Sequence, residues 1–409
     1  MRDVRVVFLY SGEFDSTVFD SQVVDSIVAS GELGIAVDLV VLMHGSPYLR
    51  RRAHNRQRRE EIASRIPGDL RVYPTLRKET FAGDLGAALV LLGDLLRTPA
   101  RRTVIHARGD GAAYFASLCK RVVPGVRLVY DVRGDSIAEH SHYARQAGLR
   151  VGLLDRKIRQ LDRERRGALQ AADAIFCVSS ALRDRLLARY GGSEGRFTVI
   201  PCVADTGKFF VDENERRTTR EALGLERRFV MVYPGRFGRW HYGPEMIGIV
   251  RAVLATNEDA FFLVLTPDVE EARALASATL PVGSFEIRAA RHEEIPRYLR
   301  AADLGLLLRE RDPVNEVACP TKFAEYLLCG LPVLISPGIG DCTDFIASHA
   351  AGAVLDAVEP ALAAELVAAL RPRLGPAQRA SIAAAGLELY SRKNAAIRIA
   401  ETYGTLAGG

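Results

Sequence analysis

The chain has 409 residues, a net charge of +5, and 48% hydrophobic and 26% charged residues. That length is too great for one ordinary core and suits two domains of about 200 residues each. The small basic excess points to anionic small molecules or an anionic surface and away from nucleic acid.

The opening "MRDVRVVFLYSGEFD" holds an apolar stretch too short for a signal peptide and reads as a first strand. From there, short β-branched runs alternate with helix-period segments from end to end. This is the pattern of an α/β chain with parallel sheets covered on both faces. The first half gives strands at 5–10, 36–43, 70–76, 103–106, 128–132 and 174–178. The series restarts at 229–233, 261–266, 285–289, 305–308, 333–336 and 352–355. The seam falls in "FTVIPCVADTGKFFVDENERRTTREALG", where a strand ends at Pro201 and a linker follows at about 203–212. Two doubly wound, Rossmann-like domains, 1–203 and 204–385, are therefore expected to face a shared cleft. In such sheets ligands bind where strands end and helices begin. Six cysteines without a CxxC pair read as buried free thiols of a reducing cytoplasm. No apolar run reaches the roughly 20 residues of a membrane span.

Several strand-to-helix turns carry chemistry. In "VYPGRFGRWHYGPEMIGIV" a strand ends at Pro234-Gly235, and Arg236 and Arg239 follow three residues apart. Planar guanidinium forks suit diphosphate oxygens, although two solvated arginines on a loop would look the same. At 290–292 a turn beginning with Ala290 could lie against a nucleotide base and read it through the backbone, while His292 reads as a capping residue. "VNEVACPTKFAEYLLCGLPVLIS" contains a short helix opened by Pro320 and stopped by Gly330-Leu331-Pro332. Proline suits the first helical position, which leaves the Thr321 and Lys322 amides free at the positive end of the helix dipole. Phe323, Ala324, Leu327 and Leu328 share one face; Thr321, Lys322, Glu325, Tyr326 and Cys329 share the other. Glu325, one turn in, has the reach to accept hydrogen bonds from a ribose diol. The plainer reading is a solvated i,i+3 pair between Lys322 and Glu325.

"YPGRFGRW", "AADLGLLL" and "PTKFAEYLLCGLPVL", with "FCVSSALRDRLLARYG" and "VIPCVADTGKFF" before them, closely resemble the family 4 glycosyltransferases of the GT-B fold. The resemblance implies a retaining, metal-independent transfer from a nucleoside-diphosphate sugar to an acceptor hydroxyl. It implies a donor on the C-terminal domain, an acceptor on the N-terminal one, and a last helix, 386–409, that returns to the first domain. By position, Glu325 matches the ribose-binding glutamate, Thr321 and Lys322 the diphosphate-binding helix start, and Arg239 the basic residue after the glycine turn, with Arg236 beside it. Gly12 matches the tight first turn under the diphosphate, and Arg108 falls where many relatives carry a histidine facing the donor sugar. Arg239, Lys322 and Arg108 are thereby the catalytic candidates. Without a covalent nucleophile, front-face attack assisted by the leaving phosphate is implied.

The sequence departs from the family eight residues before Glu325. Val317 stands where many members carry a sugar-contacting glutamate, with Glu316 one residue early. Either Glu316 swings in, or backbone amides around Val317–Cys319 hold the sugar. On the acceptor side, Asp131, Arg133 and Glu139 form a charged group that reads equally as an internal salt-bridge network or as catalytic. Asp15 and Ser16 read as helix caps. No Asp-x-Asp stands at a predicted strand end, so no metal ligand is assigned. The basic stretches 48–60 and 155–167 read as solvated faces or as contacts to an anionic membrane surface. The resemblance implies an acceptor that is a saccharide, a lipid-linked sugar or a small molecule, in envelope or secondary-metabolite synthesis. Arg, Ala and Gly richness fits a high-GC bacterium. A nucleotide-sugar epimerase or hydrolase of the same fold, or a non-catalytic nucleotide-sugar-binding partner, is the alternative.

Overall fold

The computed structural model describes residues 2–76, 81–146, 151–237 and 242–408. The chain divides into two compact units: Met1–Pro201 with Ala395–Gly409, and Cys202–Asn394.

The first unit is built on seven strands: β1 (Arg2–Ser11), β2 (Val37–His44), β3 (Leu70–Thr75), β4 (Ala100–Arg108), β5 (Val126–Val132), β6 (Ala174–Cys177) and β7 (Phe197–Val199). They pair throughout in parallel, in the order β3-β2-β1-β4-β5-β6-β7. The chain leaves β1 toward one edge and returns to the other side at β4, which puts the topological switch point between β1 and β4. Strand β4 runs two residues past the expected His106, because Tyr10, Arg108 and Asp131 stay in register across β1, β4 and β5. At the opposite end of the sheet, Arg5 is clamped between Asp38 (2.9 Å) and Asp94 (2.8 Å), all buried. The last helix, Arg392–Gly408, joins this unit from Ala395 onward. There the Tyr403 hydroxyl lies 2.6 Å from His106 Nδ1, and Arg102 donates to the Ala407 carbonyl.

The second unit has six parallel strands: β8 (Phe229–Pro234), β9 (Ala260–Leu265), β10 (Phe285–Arg288), β11 (Leu304–Leu307), β12 (Val333–Ile335) and β13 (Gly352–Val354). Their order is β10-β9-β8-β11-β12-β13, so its switch point lies between β8 and β11. β8 and β9 are buried at every residue. Their unbroken apolar sequences follow from helices covering both faces. Alternate β8 residues serve different cores: Val230 and Val232 pack with Phe323 and Leu327, whereas Met231 and Tyr233 pack with Met246 and Ile249. Residues 386–394, expected to travel with the last helix, belong to this second unit. The helix Pro376–Tyr390 approaches so closely that a Cβ on Gly386 would sit 2.8 Å from Leu327 Cβ. Among the described residues no helix is long and apolar enough to cross a membrane.

Candidate functional site

The short helix expected after Pro320 is present at Thr321–Leu328. Pro320 is its N-cap and supplies no side-chain cap, so the Thr321 and Lys322 amides donate to no acceptor among the described residues. At the other end Gly330 (φ +66°) donates to Leu327 O at 2.8 Å and Leu331 to Tyr326 O at 2.9 Å. That paired closure reverses the chain at once into β12. The two-faced reading of this helix needs correction. Glu325, Tyr326 and Cys329 are buried like Phe323 and Leu327, because neighbouring elements cover the polar stripe as well.

Burial changes the chemistry of that stripe. Lys322 Nζ rests 4.1 Å from the centre of the Tyr233 ring, at the end of β8. No ion pair within 4 Å joins it to Glu325, so the solvated i,i+3 pair does not form. Burial, then the nearby Arg309 guanidinium, brings the Lys322 ammonium down to about 7; Glu325 pulls weakly the other way. Burial pushes the Glu325 carboxyl up to about 7. Gly235 makes room for this lysine. It sits at φ +143°, and a Cβ there would lie 2.7 Å from Lys322 Nζ.

Arg309 follows β11, on the other side of the switch point from Gly235. Its backbone is pinned by Ser336, whose hydroxyl accepts from the Arg309 amide (2.8 Å) and donates to its carbonyl (3.0 Å). Nη1 donates to Asn315 Oδ1 at 3.1 Å, while the buried Nε has no partner. Fully buried Asn315 is itself held by the Glu310 carbonyl (2.8 Å). No carboxylate among the described residues lies within ion-pair distance of Arg309 or Lys322. Two cations thus converge beside two undonated amides at the carboxyl ends of β8 and β11, an arrangement suited to a polyanion.

The other donor-side candidates scatter around this centre. Arg236 is exposed and pairs with Asp268 at 2.9 Å. Arg239 lies outside the described residues. Ala290 follows the edge strand β10 and packs against the core. Expected capping by His292 falls instead to Arg291 and Glu294, since the turn begins one residue earlier. Around Val317–Cys319, the Val317 and Ala318 amides both donate to the Asn315 carbonyl, so those two are not available to a sugar. Glu316 is half-buried at the end of the short helix Pro313–Glu316, and Cys319 accepts from the Cys202 amide at 3.2 Å.

In the first unit, the Gly12 amide donates to Leu42 O at 3.1 Å, just past β1. Ser16 caps the next turn by accepting from Phe19, while Asp15 pairs with Arg51 and His54. Asp131, 1% exposed, collects His106 (3.3 Å), Arg108 (3.2 Å) and Arg133 (3.0 Å). Burial alone would raise its pKa, but Arg133, His106 and Arg108 outweigh that and hold it well below the usual carboxylate range. Glu139 does not join this group. Its charged neighbours are Asp110, Asp135 and Arg165, and burial followed by the two aspartates raises its pKa. The reason is the turn at Gly134, which sends the following helix toward Arg165; a Cβ at Gly134 would lie 2.8 Å from Glu139 Oε1. Among the described residues no group of three or more His, Cys, Asp or Glu could hold a metal ion.

Residues 27–208 match the family model described as Glycosyltransferase Family 4. Over that stretch, a little under half of its length, the chain is similar to the family 4 glycosyltransferases. Solved structures share its fold over nearly the whole length. A glycosyltransferase from Rickettsia africae superposes with a TM-score of 0.71 at 11% identity, covering 98% of both chains. Alr3699/HepE from Anabaena, crystallised with UDP, gives 0.70 at 15% identity, covering 98% of this chain and 100% of its own. WaaG, a glycosyltransferase involved in lipopolysaccharide biosynthesis, gives 0.65 at 16%, covering 99% and 100%. No curated protein matches the sequence significantly. The two parallel sheets are those of the GT-B glycosyltransferase fold. Within this site, sequence reasoning missed Arg309. The available signal was an arginine directly after the apolar strand "LGLLL", but only strand order shows that this end adjoins Gly235.

Proposed function

We propose that the chain is a retaining glycosyltransferase that uses a nucleoside-diphosphate sugar and needs no metal. The observation that carries this reading is the pair Arg309 and Lys322: two half-buried cations with no carboxylate in ion-pair distance among the described residues, beside the undonated amides of Thr321 and Lys322, at the β8/β11 switch point. A diphosphate would satisfy both charges and both amides at once. Glu325, one turn further, is within reach of the ribose, and Arg239 and Arg236 are assigned to the diphosphate from their place in the sequence alone. The solved structures of Alr3699/HepE with UDP and with UDP-glucose support a uridine nucleotide as the first donor to try.

In the transfer, the bond from the sugar's anomeric carbon to the diphosphate oxygen breaks. The acceptor oxygen forms its bond on the same face. The acceptor proton passes to the departing phosphate. Arg309, Lys322 and the helix amides stabilise the charge that grows on the diphosphate, the role a divalent ion fills elsewhere. By the family resemblance Arg108 is the first unit's candidate for the donor sugar, and the acceptor is a saccharide, lipid-linked or small-molecule hydroxyl. Calorimetry with UDP, GDP and TDP, then transfer assays in EDTA with NMR of the product's anomeric proton, tests the proposal. Absence of nucleotide binding sinks the donor site, and an inverted product or an obligatory metal sinks the mechanism. Isomerisation of the nucleotide sugar without acceptor would establish the epimerase reading instead.

A further inference from the structure

A cavity of about 220 Å³ opens at the switch point of the first unit, where β1 and β4 end. Arg108, Asp110, Phe115, Lys157, Gln160 and Glu164 line it. At about 30 Å³ per water it has room for about seven waters, below the ~300 Å³ of the smallest drug-sized pockets. That is the size of one sugar ring. Most charges around it already have partners: Arg108 with Asp131 (3.2 Å), Asp110 with Arg165 (3.0 Å) and Asp84 with Arg163 (3.2 Å). What remains is hydrogen-bonding capacity with little net charge, set against apolar Ala112, Phe115 and Leu161.

Glu164 stands apart in this setting. Its residue is 6% exposed, and Oε1 accepts from Gln160 Nε2 at 2.7 Å. No cation lies within ion-pair distance of it among the described residues. Its place is fixed by the next residue: fully buried Arg165 donates to Asp135 (2.8 Å), Asp110 (3.0 Å) and Ser136 (3.0 Å), which ties this helix to the loops after β4 and β5. Opposite Oε2 is Gly111, where a Cβ would lie 3.7 Å from that oxygen and 3.7 Å from Phe115. The missing side chain keeps the cavity open in front of the carboxylate.

Taking the chain as a glycosyltransferase, as proposed above, we infer that this cavity binds an uncharged pyranose ring of the acceptor, with Glu164 accepting hydrogen bonds from its hydroxyls. The composition fits a sugar: polar groups for the ring edge and an apolar wall for its face. A buried carboxylate left without a cation is costly unless a ligand's donors reach it. Burial pushes Glu164 up to about 7; Asp84 and Asp110 add to this, and Gln160 and Lys157 act against it. Its charge therefore changes near neutral pH, and sugar affinity falls as pH drops below about 7.

The test uses methyl glycosides of glucose, mannose and N-acetylglucosamine, titrated by saturation-transfer NMR against the full chain. Calorimetry with UDP, GDP and TDP runs on the same samples. Saturable binding of at least one glycoside is expected. Glu164→Gln should weaken it about tenfold or more, the scale of losing a hydrogen bond to a charged group. The wild-type pH dependence should disappear in that variant. Gly111→Ala, whose methyl enters the cavity in ordinary contact distance, should weaken binding several-fold while Glu164 stays intact. Nucleotide affinity should be unchanged in both. No saturation with any of the three glycosides overturns the inference, as does Glu164→Gln binding them like the wild type. Loss of nucleotide binding in the wild type with glycoside binding kept would instead sink the donor proposal alone.

Discussion

The carboxyl ends of the two sheets are built from similar charged residues but treat them differently. In the first unit, Asp131 gathers His106, Arg108 and Arg133, and Arg165 joins Asp110 to Asp135. In the second unit, Arg309 and Lys322 meet with no carboxylate in ion-pair distance of either among the described residues, and Glu325 acts on Lys322 only weakly. A closed network holds backbone turns in place and has little charge left to offer an anion. An open cation pair repels itself until an anion arrives. The same topological position can thus hold a quenched network or an anion site, and the balance of charge distinguishes the two.

The largest expected effect probes the closed network. Asp131→Asn removes the buried charge that His106, Arg108 and Arg133 share and should cost about 3–5 kcal/mol of stability, read by urea unfolding. Because the folded carboxyl is held below its unfolded value, its contribution is present above pH ~4 and is lost as pH falls through the folded pKa. Equal stability of Asp131→Asn and wild type at pH 7 would break the comparison.

The open pair should respond in the opposite way. Arg309→Ala and Lys322→Ala should each lower turnover about 10²–10³-fold, the scale for removing one charge-stabilising donor. Unfolding midpoints should stay close to wild type, since each change removes a cation facing another cation. A stability loss as large as that of Asp131→Asn would mean that this pair, too, is architecture.

Gly235→Ala should weaken nucleotide binding about tenfold, because its methyl enters the space of Lys322 Nζ and the φ of +143° is strained for alanine. Normal affinity would show that Lys322 swings away freely.

A smaller effect sharpens the electrostatics. With Lys322 near 7, about nine-tenths of it is neutral at pH 8, so diphosphate binding should draw in close to one proton. Nucleotide affinity should therefore fall as pH rises above about 7. Calorimetry in buffers of different ionisation enthalpy measures the uptake, and Lys322→Met should abolish it. The smallest effect is Tyr403→Phe, which removes the hydroxyl at His106 Nδ1 and should cost about 1 kcal/mol.

Much of this was legible before any coordinates. Strands such as β8 and β9 announce themselves because a strand covered on both faces must be apolar throughout. The helix at Thr321–Leu328 was readable from Pro320 and Gly330, since caps and stops act within a few residues. Arg309 was not readable, since its closeness to the end of β8, where Lys322 rests on Tyr233, depends on β11 pairing with β8 across more than 70 residues of chain. Glu139 was misplaced for the same reason: nearness in sequence to Arg133 says nothing about which side of the turn at Gly134 it takes. Glu164 sat inside what looked like a solvated basic helix, and only Arg165 locked beneath the loops reveals its buried face.

The sequence by itself determined the elements and their repeat. Backbone preference and hydrophobic period act over short distances, so each strand, helix start and glycine stop is written where it occurs. Tertiary structure alone decided which charges are quenched and which are left open. That outcome depends on strand order and on burial, which set the distance between groups far apart in the chain and the dielectric in which they meet.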